Sequence, residues 1–188
     1  MKLNIIINFE DTYEIENISE DLSKFQFTTR NREGKEIVLF VIITKNSNPF
    51  LPSVYNLAFG PLDEDGRIDD KAVIKHESSA KVYSTLLLGA LTFLNAVPDS
   101  FVGIDGSNLV RACLYYSLFQ NNYDYLAQYF NVIGVNYYVR LLRGEESGDP
   151  FITDNEEFAT QPFKIAKHLQ ITRRKLYNYF VFNLVNQQ

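Results

Sequence analysis

Ser78-Ser-Ala-Lys-Val-Tyr-Ser-Thr-Leu-Leu-Leu-Gly-Ala-Leu-Thr-Phe-Leu-Asn-Ala-Val97 is where the chain changes character. Tyr83, Leu86, Leu87, Ala90, Leu91, Leu94 and Val97 recur at the i, i+3, i+4, i+7 spacing of one helix face, a serine precedes them as N-cap, and Pro98 follows. Ser84, Thr85, Gly89, Thr92 and Asn95 interrupt the apolar run. The spacing therefore predicts a core helix, short of the roughly 20 apolar residues a membrane span needs. Upstream, the sequence reads as sheet. Lys24-Phe-Gln-Phe-Thr-Thr29 alternates polar and apolar, Arg30 to Gly34 has the composition of a hairpin connection, and Lys35-Glu-Ile-Val-Leu-Phe-Val-Ile-Ile-Thr44 is apolar enough to predict a central strand buried on both faces. Prolines within Ser47 to Pro52 break the sheet, and Val54 to Phe59 resumes it. Asp63-Glu-Asp-Gly66 then predicts a hairpin turn into a further strand near Arg67 to Lys75.

Downstream, Ser100 to Ile104 predicts a short strand, Asp105-Gly-Ser-Asn108 opens a second helix reaching about Gln120, and Tyr123 to Phe130 looks helical. Asn131 to Leu142 returns to strand, residues 143–161 read as a long acidic loop, and 162–188 as C-terminal strands. The expectation for the 188 residues is a single α+β domain, a largely antiparallel sheet packed by two or three helices. A formal charge of −5 argues against a broad electrostatic grip on nucleic acid or anionic lipid. Cys113 stands alone and no signal-peptide pattern opens the chain, so a cytoplasmic protein without internal disulfides is expected.

Chemistry has two candidate places. At Phe101-Val-Gly-Ile-Asp-Gly-Ser-Asn-Leu-Val-Arg111, Ser107 is the expected N-cap, and the first amides of the helix, together with its dipole, favour an anion. Gly106 lets backbone approach, while Arg111 and Tyr115 stand one turn apart on one face, where the guanidinium can clamp a phosphate or carboxylate. Gly106, Ser107, Asn108, Arg111 and Tyr115 are thus the candidate ligand site. The plainer alternative is a simple cap, with Arg111 paired to Asp105 or another surface acid. Nucleotidyltransfer chemistry also begins at a strand-Gly-Ser turn, but no carboxylate pair follows to hold its metal. The second place is Ile165 to Phe180, which resembles a bacterial helix-turn-helix with Thr172 capping a helix bearing Arg173, Arg174 and Lys175. Gln170 replaces the usual turn glycine, and Tyr177 to Val185 is strand-like, so a strand pair with a basic turn is preferred.

Elsewhere the residue pattern speaks against metal and nucleophile sites. Asp63 to Asp70 lacks the first and last ligands of a calcium loop, and His76 and His168 have no ligand spacing. No metal or cofactor is expected. Tyr123, Tyr125, Tyr129, Tyr137 and Tyr138, if exposed, suit a protein interface.

Val54-Tyr-Asn-Leu-Ala-Phe-Gly-Pro-Leu62, Ile68-Asp-Asp70, Gly106-Ser-Asn-Leu-Val-Arg111 and Leu114-Tyr115 resemble, in order and spacing, an uncharacterised bacterial family known as a domain of unknown function. The resemblance covers about residues 13 to 135, and Tyr177-Asn-Tyr-Phe180 is similar to the family's closing Tyr-x-x-Phe segment. It implies an α+β fold and marks Ser107 and Arg111 as motif positions, without implying a reaction. The expected function is a non-enzymatic protein-interaction module of a defence or toxin–antitoxin type locus, whose partner is a neighbouring gene product or a second copy. Alternatives are a phosphate- or nucleotide-binding protein or enzyme using Ser107 and Arg111, and DNA binding through residues 165–180.

Overall fold

The computed structural model describes residues 5–46, 51, 53–106, 108–142, 155–165, 177 and 179–185, with the backbone alone for 136–142 and 155–164. Seven strands, β1 (Lys24–Arg30), β2 (Glu36–Lys45), β3 (Val54–Gly60), β4 (Phe101–Asp105), β5 (Phe130–Leu142), β6 (Asn155–Lys164) and β7 (Tyr179–Leu184), form one sheet in the order β1-β2-β3-β4-β7-β5-β6. Every neighbouring pair is antiparallel except β3 and β4. The crossover between those two is α1 (Ser79–Ala96), and α2 (Leu109–Asn121) and α3 (Tyr123–Leu126) follow β4. The class is α+β with a largely antiparallel sheet, as the sequence predicts. Among the described residues no helix is long and apolar enough to cross a membrane.

The expected central strand is not central. In β2, Leu39, Val41 and Ile43 are buried, whereas Val38 on the opposite face is exposed, because the core shared with α1 and α2 takes only one face of that strand. The strand buried on both faces is β7. Phe180 and Phe182 point into the main core, while Tyr179 and Val181 pack with Val54 and Val135 on the other side. The strand expected at Arg67 to Lys75 reduces to isolated bridges, Leu62 with Ile68 and Asn31 with His76. Asp63 does make the expected turn, its Oδ1 accepting from the amides of Asp65 at 3.0 Å and Arg67 at 2.8 Å.

Three further expectations change. The helix after Tyr123 stops at Leu126, since Phe130 is already paired with Leu184 in the sheet. Residues 155–161 are not loop: they pair with β5 from Leu142 back to Asn136, and Pro162 is tolerated because β6 is an edge strand. The strands flanking residues 165–178 do not pair with each other, because β5 lies between β6 and β7.

The polar interruptions of α1 have a purpose the helical period does not disclose. Residues 5–13 cross the helices as a strap whose amides are satisfied by side chains. Ile7 N donates to Asn122 Oδ1 (2.7 Å), Asn8 N to Ser84 Oγ (2.9 Å), Phe9 N to the Tyr125 hydroxyl (2.9 Å) and Tyr13 N to Thr85 Oγ1 (2.9 Å). Ser84 and Thr85 are buried, so each hydroxyl sits in the core only because a backbone donor meets it. Ser78 caps α1 as expected, accepting from Lys81 N at 3.2 Å.

His76 gives a pH dependence. Burial lowers its pKa from the usual 6.5, and its Nδ1 lies 3.5 Å from Thr29 Oγ1. The unfolded chain therefore binds the proton more readily than the folded one. Stability contributed by neutral His76 is present above about pH 6.5 and is lost as pH falls through the lower folded value. Denaturant midpoints measured from about pH 7.5 to 5 should decline, and His76→Gln should flatten that slope. An unchanged slope in the variant would assign the decline elsewhere.

Candidate functional site

The parallel pair β3 and β4 ends on one side of the sheet, and each strand feeds a segment of the candidate site. After β3 comes the 61–75 loop. Gly60 closes β3 beneath it, and a Cβ there would run into the backbone carbonyl of Asp69, so glycine is what lets the loop fold down onto the strand end. Asp69 N returns to Pro61 O at 2.8 Å, and Ala72 N to Asp69 O at 3.3 Å. After β4 comes α2. A Cβ on Gly106 would sit 3.2 Å from both the Ala112 Cα and the Phe180 ring, so the turn is packed tightly against the first part of α2.

Asn108, not Ser107, caps α2: its Oδ1 accepts from Arg111 N at 2.9 Å and its carbonyl from Ala112 N at 2.9 Å. Asparagine and serine are comparable caps, and here the extended residue that precedes the helix is Asn108. Ser107 itself lies outside the described residues, as do Thr172, Arg173, Arg174 and Lys175.

Arg111 ties the two segments together. Its Nη2 donates to the carbonyl of Asp70, across from α2 to the 61–75 loop. It joins neither ion pair found among the described residues, Arg30–Glu36 and Lys81–Asp11, so the expected pairing with Asp105 is not formed. Tyr115, one turn on, is 5% exposed, its ring 6.1 Å from Phe180 and 6.3 Å from Tyr83 at steep angles. Burial pushes the Tyr83 phenol up, with Tyr115 adding to it and Arg111 opposing it. Burial likewise pushes Tyr115 up to about 12, with Arg111 opposing and the Asp105 and Asp70 carboxylates adding. These five groups therefore share one neighbourhood.

Of the expected site, Gly106, Asn108, Arg111 and Tyr115 come together. Asp70 and Tyr83 were missed as members. Asp70 falls in the Ile68-Asp-Asp70 motif, but its contribution is a backbone carbonyl, and Tyr83 reads as one more apolar position of α1. Other motif residues turn out to be packing: the Tyr179 hydroxyl donates to Asn56 Oδ1 at 3.1 Å, over a Gly103 that leaves room for its ring. Of the tyrosine cluster, Tyr125 and Tyr129 pack on Phe9 of the strap, with ring centroids 5.5 and 5.0 Å away.

No curated protein and no solved structure matches the chain. Over residues 9–156, which contain β1 to β5, all three helices and the whole Arg111 to Asp70 contact, the chain belongs to a family of unknown function, DUF6934.

Proposed function

We propose that the protein is a protein-interaction module whose contact surface is the first turn of α2 together with the 61–75 loop. One observation carries this reading. Of seven large apolar residues left exposed among the described ones, four lie on these two segments: Leu62, Val73, Leu109 and Val110. Val73 and Val110 are the most exposed, at 94% and 77%. Single exposed apolar residues need no explanation, but their concentration on two segments bonded to each other marks a surface that gains from being covered. The locus type expected from the sequence draws no support from fold or family, and the reading does not extend to it.

A photo-crosslinking residue in place of Val73 or Val110 should give a discrete adduct with a partner polypeptide, or with a second copy, in extract of the native host. The same residue at Val38 on the far strand should not. Equal labelling from all three positions would overturn the reading.

A further inference from the structure

We infer that the protein pairs with a second copy of itself, strand to strand, through the outer part of β5, residues 136–142. β7 covers one side of β5 from Phe130 to Val135 and goes no further, while β6 covers the other side as far as Leu142. Beyond Val135 the sheet is a two-stranded ribbon, and among the described residues no strand pairs with 136–142 on the β7 side. Two strands alone are marginally stable in water, so this ribbon gains from a third.

Backbone alternation tells which groups are left open. The Tyr129 carbonyl accepts from Val185 N on the β7 side, and the Val132 carbonyl from Ile165 N on the β6 side. The β5–β6 register runs without a slip from Ile133 opposite Lys164 to Leu142 opposite Asn155, so odd positions of β5 turn their N–H and C=O toward the β7 side and even positions toward β6. Tyr137, Val139 and Leu141 therefore offer their backbone groups to the open side, and none of the three is charged or a proline. The two outer edges of the sheet are managed differently. On β1, Gln26 exchanges hydrogen bonds with Glu16 (2.7 and 3.0 Å), and the carbonyls of Lys24 and Arg30 accept from Ser19 N and Glu77 N. On β6, the same alternation puts Glu156, Pro162 and Lys164 among the outward positions, residue types that discourage an added strand. Among the described residues, the open side of β5 has neither cover nor such a residue.

A second copy is the occupant that the register fits. Laid antiparallel on itself about Val139, the segment sets position 139 opposite 139 and 137 opposite 141, so each open N–H meets an open C=O across one two-fold axis. Arg140 carries the segment's charge and falls opposite Tyr138 rather than its own copy, so no like charges face each other directly. This surface is separate from the first turn of α2 and the 61–75 loop, and either can fail without the other.

Sedimentation equilibrium of the full chain should show a dimer that dissociates on dilution. Val139→Pro removes the N–H at the axis, which β6 does not use, and should weaken the dimer about tenfold or more. Cysteine pairs test the register, and decide the matter if the proline variant folds poorly. In a Cys113→Ser chain, Val139→Cys should oxidise to a linked dimer, since its two copies face each other within disulfide reach. Tyr137→Cys should not, its copies being four positions apart, about 14 Å. A monomer at every concentration, a dimer that a folded Val139→Pro leaves unchanged, or equal linking from positions 137 and 139 overturns the inference.

Discussion

Asn122→Ala should cost about 3 kcal/mol, a fall of roughly 6 to 12 °C in melting temperature for a chain of this size. Asn122 is 5% exposed and uses its whole amide: Oδ1 accepts from Ile7 N, while Nδ2 donates to the carbonyls of Ile5 and Leu118, each at 2.8 Å. Alanine leaves a buried N–H and one or more buried carbonyls without partners, and an unsatisfied buried group costs more than the bond itself contributes. The loss is concentrated on the strap, because Ile5 and Ile7 are core residues held there only by these bonds and their packing. Tyr125→Phe removes the acceptor for Phe9 N and the hydroxyl's bond with Tyr129, both at a less buried place, and should cost under half as much. Equal effects would mean that the strap is held by apolar packing alone.

The strap also shows where the sequence stops being legible. The α1 period and its serine cap are readable because helix periodicity is local, and β1 and β2 because their hairpin is closed by Gly34 in a left-handed conformation. Residues 5–13 carry no period, since their partners are Ser84, Thr85, Asn122 and Tyr125, more than 70 positions away. The same distance hides β7 as the strand buried on both faces: Tyr179 to Leu184 reads as a strand by residue type, but its place between β4 and β5 is a tertiary fact. At the candidate site, the helix start and Arg111 are visible, whereas the acceptor of Arg111 is a main-chain oxygen 41 residues earlier, which no side-chain pattern encodes.

Gly60→Ala should have the second large effect, about 1 to 3 kcal/mol, by overpacking. The atom a new Cβ meets is the Asp69 carbonyl, which belongs to the backbone and cannot rotate aside as a flexible side chain can. The loop has to lift, and Asp70 lifts with it, away from Arg111. Thermal melts should show the stability loss. By contrast Gly66, in a left-handed turn with open space around it, should respond to alanine only through backbone strain.

Hydrogen exchange at the Asp69 amide tests the tie between the 61–75 loop and α2 most directly, because that amide closes the loop on Pro61 O and neighbours the carbonyl that Arg111 holds. In Arg111→Ala, with the rest of the chain folded, its protection should fall about tenfold or more, while the β1 and β2 amides keep theirs. Unchanged Asp69 protection in a folded Arg111→Ala chain would show that the loop stands without the guanidinium, and the joined surface would be contradicted.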